Sequence, residues 1–164
     1  MLKSIKLRPF EIAANLNPAL GALAIWEFTQ GYKSNNNDGP EYLLAFLVLP
    51  FVMHGPTRKS MPPSKSTRLQ IWLEKNPGII IGMSERILEL NDFSKEALLF
   101  ASCNGLVTIT QTARLKPNKM IPATYRTSFS PEVREILEKS TLCGKWFGQI
   151  SDLPTILITL GLRI

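Results

Sequence analysis

The chain of 164 residues contains a single histidine, His54, and that scarcity excludes much chemistry at once. A zinc protease needs two histidines one helical turn apart, and a nucleophilic triad needs a positioned base. His54 follows Met53 at the end of an apolar run. It reads as a terminal cap that satisfies carbonyls at the negative end of a helix dipole. Cysteine is nearly as scarce. Cys103 and Cys143 stand far apart, without CxxC spacing, in segments that otherwise look like core. Two inert thiols in a reducing compartment are the plain reading, and a disulfide or a metal pair is the alternative. A phosphate-cradling loop is also missing, because the only Gly-Lys pair, Gly144–Lys145, runs into Trp146 instead of Ser or Thr. Glu85 and Glu89 lie one turn apart, but Arg86 and a polar face surround them, which makes a solvated surface. No carboxylates gather in the manner of a nuclease. The chain is therefore expected not to be an enzyme and to need no cofactor, metal or small-molecule substrate.

Long hydrophobic runs are absent too. The longest, Leu43 to Met53, is broken by Pro50 and falls short of the roughly 20 residues a membrane span needs. The opening "MLKSIKLRPFEI" has neither a long apolar core nor a small-residue cleavage site, so a cytoplasmic location is expected. Charged residues make up only 20% of the chain against 45% hydrophobic, a balance that suggests apolar surface covered by a partner. The net charge of +6 is unevenly placed. Residues 54–75 carry five basic side chains against Glu74, and residues 101–127 carry Arg114, Lys116, Lys119 and Arg126 with no acid. Excess positive charge of this kind attracts phosphates or acidic protein surfaces, or serves solubility alone.

The patterning is mostly helical. After an arm at residues 1–14, Asn17-Pro18 reads as an N-cap and first helical position for "ALGALAIWEFTQGY". Pro40 opens a second helix, which Pro50 should kink or end. A basic, proline-broken connector at 54–66 leads to a third helix, "RLQIWLEKN", capped by Ser66 or Thr67. Ile80, Met83, Ile87 and Leu90 mark a fourth. Ser94 is expected to cap a fifth that closes at Gly105, a left-handed C-terminal position. The segment "LVTITQTARLKP" alternates as a strand pair, with one apolar face and one hydroxylated and basic face. Ser130-Pro131 starts a sixth helix to about Gly148, with Val133, Ile136, Leu137 and Cys143 inward. Its outer face is expected to carry the pairs Arg134–Glu138 and Glu135–Lys139. Asp152 and Pro154 seed a last short helix.

The fold class is thus mainly α with one small β-hairpin (α+β). A helix, a Gly turn and an amphipathic hairpin over 94–117 resemble the end of a winged-helix unit. One compact domain, 1–164, is expected, with sub-lobes at 1–77 (helical) and 78–164 (winged-helix-like). In DNA-binding winged helices, the helix before the wing reads bases with polar side chains. Here it offers only Lys95, Ser102 and Asn104. Trp146 and Phe147 point about 100° apart on a helix, so both rarely enter one core. Trp146 is the candidate partner anchor, and internal packing of both rings is the alternative.

Five segments in fixed order carry a family resemblance: "NPAL…WEFTQGY" (17–32), "LLAFLVLPFVMH" (43–54), "LQIWLEKNP" (69–77), "FSKEALLFASCNGLV" (93–107) and "LCGKWFGQISDLPTILITLGLRI" (142–164). They resemble the small middle component of bacterial three-component ABC systems, the class that includes Lamassu-type anti-phage defence. The resemblance implies a non-catalytic adaptor beside an SMC-like ABC ATPase and an effector, often a nuclease, with DNA reached through the complex. The family usually has arginine where Lys145 stands, which bears on any bidentate contact there. The alternative is a winged-helix DNA binder that grips phosphates with Arg114, Lys116 and Lys119 and, on a second loop, Arg58, Lys59 and Lys65. In either case these six cations are the candidate contacts, for partner or for DNA.

Overall fold

The computed structural model describes residues 16–64 and 66–163. The expected N-terminal arm lies outside them. Asn17 accepts a hydrogen bond from the Ala19 N–H at 2.9 Å and starts α1, Pro18–Lys33. A 3-10 turn at Tyr42–Leu44 leads into α2 (Ala45–Val52), followed by α3 (Gly55–Ser60) and α4 (Leu69–Lys75). After another 3-10 turn, Pro77–Ile79, come α5 (Met83–Glu89) and α6 (Asn91–Cys103). The hairpin is β1 (Val107–Ile109) and β2 (Leu115–Pro117), paired antiparallel with Thr108 opposite Lys116. A 3-10 segment at Ala123–Ser128 precedes the long α7 (Pro131–Ile150) and the closing α8 (Leu153–Thr159). Ser130 and Asp152 cap these last two helices as expected.

Four local readings change. The basic connector contains a helix, α3, and His54 caps its N-terminus instead of the C-terminus of α2. Its Nδ1 lies 2.7 Å from the Thr57 hydroxyl and 3.4 Å from the Thr57 N–H. Ser94 is buried inside α6, which begins three residues earlier at Asn91. Neither Ser66 nor Thr67 caps α4; Arg68 holds that position without a side-chain bond. On α7, Glu135 and Lys139 turn to other elements: Glu135 faces Arg58, and Lys139 donates to the Met61 and Pro62 carbonyls. The end of α6 follows expectation. Gly105 has φ of 67°, its N–H bonds the Ser102 carbonyl, and the Leu106 N–H bonds that of Ala101, a Schellman closure.

Packing centres on α1, which lies against both α6 and α7. Its contact with α7 is made by backbone meeting backbone. A Cβ at Gly144 would sit 2.1 Å from the Phe28 carbonyl oxygen, and one at Gly31 would sit 2.1 Å from that of Thr141. Only glycine permits this approach. It draws Phe147 edge-on to Phe28 (5.8 Å between centroids) and Phe51 (6.2 Å). One buried cluster runs from Ala22 through the aromatic residues to Leu160. Beside it, residues 39–42 run along β2: the Leu115 N–H bonds the Pro40 carbonyl, and the Tyr42 N–H bonds that of Ala113. Within the hairpin Val107 and Leu115 are buried, while Ile109, on the alternating apolar face, is 44% exposed.

Candidate interaction surface

The two basic stretches fold with very different fates. Arg58 is 4% exposed: its Nη1 donates to the Val52 carbonyl at 2.7 Å, and Glu132 and Glu135 of α7 lie 3.1 and 3.4 Å away. It is a clamp between α2, α3 and α7, and its guanidinium is engaged within the chain. The reason is local. His54 starts α3 immediately after α2, and the turn swings Arg58 inward where Lys59, the next residue, faces solvent. Arg114 is half-buried and donates to the Gly39 carbonyl at 2.7 Å. Lys119 is exposed but reaches the Asn104 carbonyl at 3.0 Å, while its own carbonyl accepts from the Trp26 indole. Lys116 is exposed on β2. Lys65 lies outside the described residues. Of the six candidates, Lys59 and Lys116 are the exposed cations whose ammonium has neither a hydrogen bond nor an ion pair among the described residues.

Trp146 is not an anchor on the surface. It is 1% exposed, stacks on Trp72 with centroids 5.0 Å apart and 28° between planes, and donates to the Thr67 carbonyl at 2.6 Å. Both Trp146 and Phe147 enter the core because α4 supplies a second wall on the far side of α7. The neighbouring Lys145 is half-buried. Cys143 is fully buried, and that burial pushes its thiol far up; Cys103, expected in core, is exposed at the end of α6.

Beside Lys145 a cavity of about 230 Å³ opens between α1, α7 and residues 120–126. Its floor is Glu27, 3% exposed, placed by α1 toward α7. The Tyr125 hydroxyl donates to Glu27 Oε1 at 2.6 Å and Arg126 Nε does so at 2.8 Å. Arg126 Nη2 and the Thr141 hydroxyl reach Oε2 at 2.5 and 3.0 Å. Burial, then the Glu27 carboxylate, pushes the Tyr125 phenol well above its ordinary value; the same carboxylate raises that of Arg126. Trp26, Met120 and Ile121 add apolar walls. The sequence held one signal for this site: Glu27 is a lone carboxylate in an apolar helix, and Arg126 sits in a basic stretch that lacks any acid.

The outward side of α6 carries two large apolar side chains. Leu99 is 65% and Phe100 39% exposed, next to Lys95 and the self-bonded Asn104, whose side chain donates to the Phe100 carbonyl. Among the described residues no group of His, Cys, Asp or Glu is placed to hold a metal, and no helix is long and apolar enough to cross a membrane.

No curated protein and no solved structure matches the chain. A family model does, from residue 5 to residue 164, which takes in every helix, the hairpin and the cavity just described. The chain therefore belongs to the family described as ABC-three component (ABC-3C) system Middle Component 3.

Proposed function

We propose that this protein is the non-catalytic adaptor of an ABC-three component system, joining an SMC-like ABC ATPase to an effector, often a nuclease, in Lamassu-type anti-phage defence in the cytoplasm. The observation that carries the reading is the span of the family match, which covers residues 5–164 as a middle component. The outward apolar residues of α6 support it, because Leu99 and Phe100 suit a protein neighbour better than a charged groove. The test is co-expression with the other two components, followed by affinity purification through one of them and size-exclusion chromatography. The adaptor is expected to travel with them in fixed proportion. If it elutes alone at micromolar concentration, the reading fails.

A second reading, a winged-helix-like DNA binder, draws support from the exposure of Lys116 on the hairpin and of Lys59. It is the weaker one. Arg58 and Arg114 spend their guanidinium groups on the protein's own carbonyls and carboxylates, so two of the six proposed phosphate contacts are occupied. Binding of duplex DNA by the isolated chain, measured across salt concentration, separates the readings. Each lysine that meets a phosphate steepens the log–log slope by about 0.9. The DNA reading expects Lys116→Glu to lower that slope, and the adaptor reading expects the isolated chain to show no salt-dependent binding for the substitution to change.

A further inference from the structure

The cavity at Lys145 combines a saturated carboxylate with unsatisfied donors. A carboxylate offers about four lone-pair sites. Those of Glu27 are met by Tyr125, by Arg126 twice and by Thr141, and Arg126 cancels its charge. Gln30 and Lys145 line the same space. Gln30 Nε2 is buried with no hydrogen-bond partner, and Lys145 has no ion pair among the described residues. The one buried polar atom left without a partner beside the cavity, among the described residues, is thus a donor, and the remaining charge is positive. A buried amide N–H left unmatched is costly, so the free protein holds this donor at a loss that a bound acceptor removes.

We propose that this cavity receives a carboxylate-tipped side chain, aspartate or glutamate, from another component of the three-component system. The inference rests on the adaptor reading and names where it is realised. At about 230 Å³, against roughly 30 Å³ for one water molecule, the space takes a side chain with its stem. Trp26 and Ile121 give the stem apolar walls, and Met120, 92% exposed at the rim, is covered by the arriving segment. A DNA phosphate fits less well, because it would need flanking cations where Met120 and Ile121 present apolar surface. Lys145 and Gln30 then act as a charged and a neutral donor to one carboxylate, a charge-assisted pairing shielded from water.

The experiment uses the complex co-expressed from all three components. Lys145→Glu is expected to weaken association by about tenfold or more, as loss of a buried charged contact does, with the melting temperature of the isolated protein unchanged. Met120→Asp at the exposed rim is the second variant, free of any folding role. A photo-crosslinking phenylalanine derivative at Met120 is expected to link to a segment of the ATPase or effector that contains an acidic residue. Reversing that acid to lysine should restore binding to the Lys145→Glu variant. Normal assembly of both Lys145→Glu and Met120→Asp overturns the assignment while leaving the adaptor reading in place. Crosslinks to DNA or to a second copy of the chain overturn it also. Failure of the unaltered protein to assemble overturns the adaptor reading and this site together.

Discussion

Arg126 and Glu27 lie 99 residues apart in sequence and meet at 2.5 Å in a buried setting. Such a pair is weak evidence for stability as a pair, yet removing one member is severe, because the other is left charged and unpaired. Arg126→Met should therefore cost about 3–5 kcal/mol in urea unfolding, whereas the joint change Glu27→Leu with Arg126→Met should cost clearly less. His54 carries the residue-scale pH effect. Burial, then the nearby Arg86 and Arg58 cations, lowers its proton affinity below the ordinary imidazole value. Below about pH 6.5 the unfolded chain then binds more protons than the folded one, so stability falls as pH drops. Protonation also removes the lone pair that Nδ1 offers to α3. His54→Asn keeps a capping oxygen without titrating, and a melting series from about pH 7 to 5 should show the His54 share of the decline gone. At this scale the sequence was only partly legible. Asn17, Ser130 and Gly105 declared their roles through local chemistry, but Trp146 and Arg58 did not. Their burial depends on α4 and α7, elements distant in sequence that cover them.

The α1–α7 crossing is the element on which the core turns. Alanine at Gly144 gains up to about 1 kcal/mol of helix propensity. Its Cβ, however, would lie 2.1 Å from a backbone oxygen that no rotamer change can move. Overpacking of this kind costs about 1–3 kcal/mol or more, so Gly144→Ala should be net destabilising. Gly55→Ala is the control, since nothing lies within 4 Å of a Cβ there, and it should be neutral to slightly stabilising. Parallel urea curves that show equal midpoints for the two variants would refute the close-approach account. The spacing Gly144-x-x-x-Gly148 was visible in the sequence, yet its meaning was not. In a helix already rich in polar residues a glycine pair reads as weakness until a second helix is placed against it. The helices themselves were legible from their caps and stripes. The start of α6 was not, because Ser94 looks like a cap and is instead a buried interior residue, while α3 was hidden by the prolines that surround it.

Across the whole molecule, the sequence suggested sub-lobes 1–77 and 78–164, with a helix stop at Asn76-Pro77 between them. Packing runs across that boundary. α1 comes from the first half and lies between α6 and α7 of the second, and Trp72 of α4 stacks on Trp146 of α7. Periodicity shows which face of a helix is apolar but not which helix it meets, so these long-range pairings were out of reach. They carry a thermodynamic consequence. If neither half has a core without the other, no partly folded state retains enough buried apolar area to offset its ordering entropy. Urea unfolding should then be a single transition, with helical circular dichroism and tryptophan fluorescence superimposing. Trp26, Trp72 and Trp146 are all buried and sit on α1, α4 and α7, so the fluorescence samples both halves at once. The slope should match a domain of full length, in the range of about 1–3 kcal/mol per molar urea. A fragment of residues 78–164 should lack cooperative unfolding, because α6 and α7 would each expose the face that α1 covers. Two separated transitions, or a fragment that melts cooperatively by itself, would show that the halves fold independently and that the α1 crossing joins two finished units.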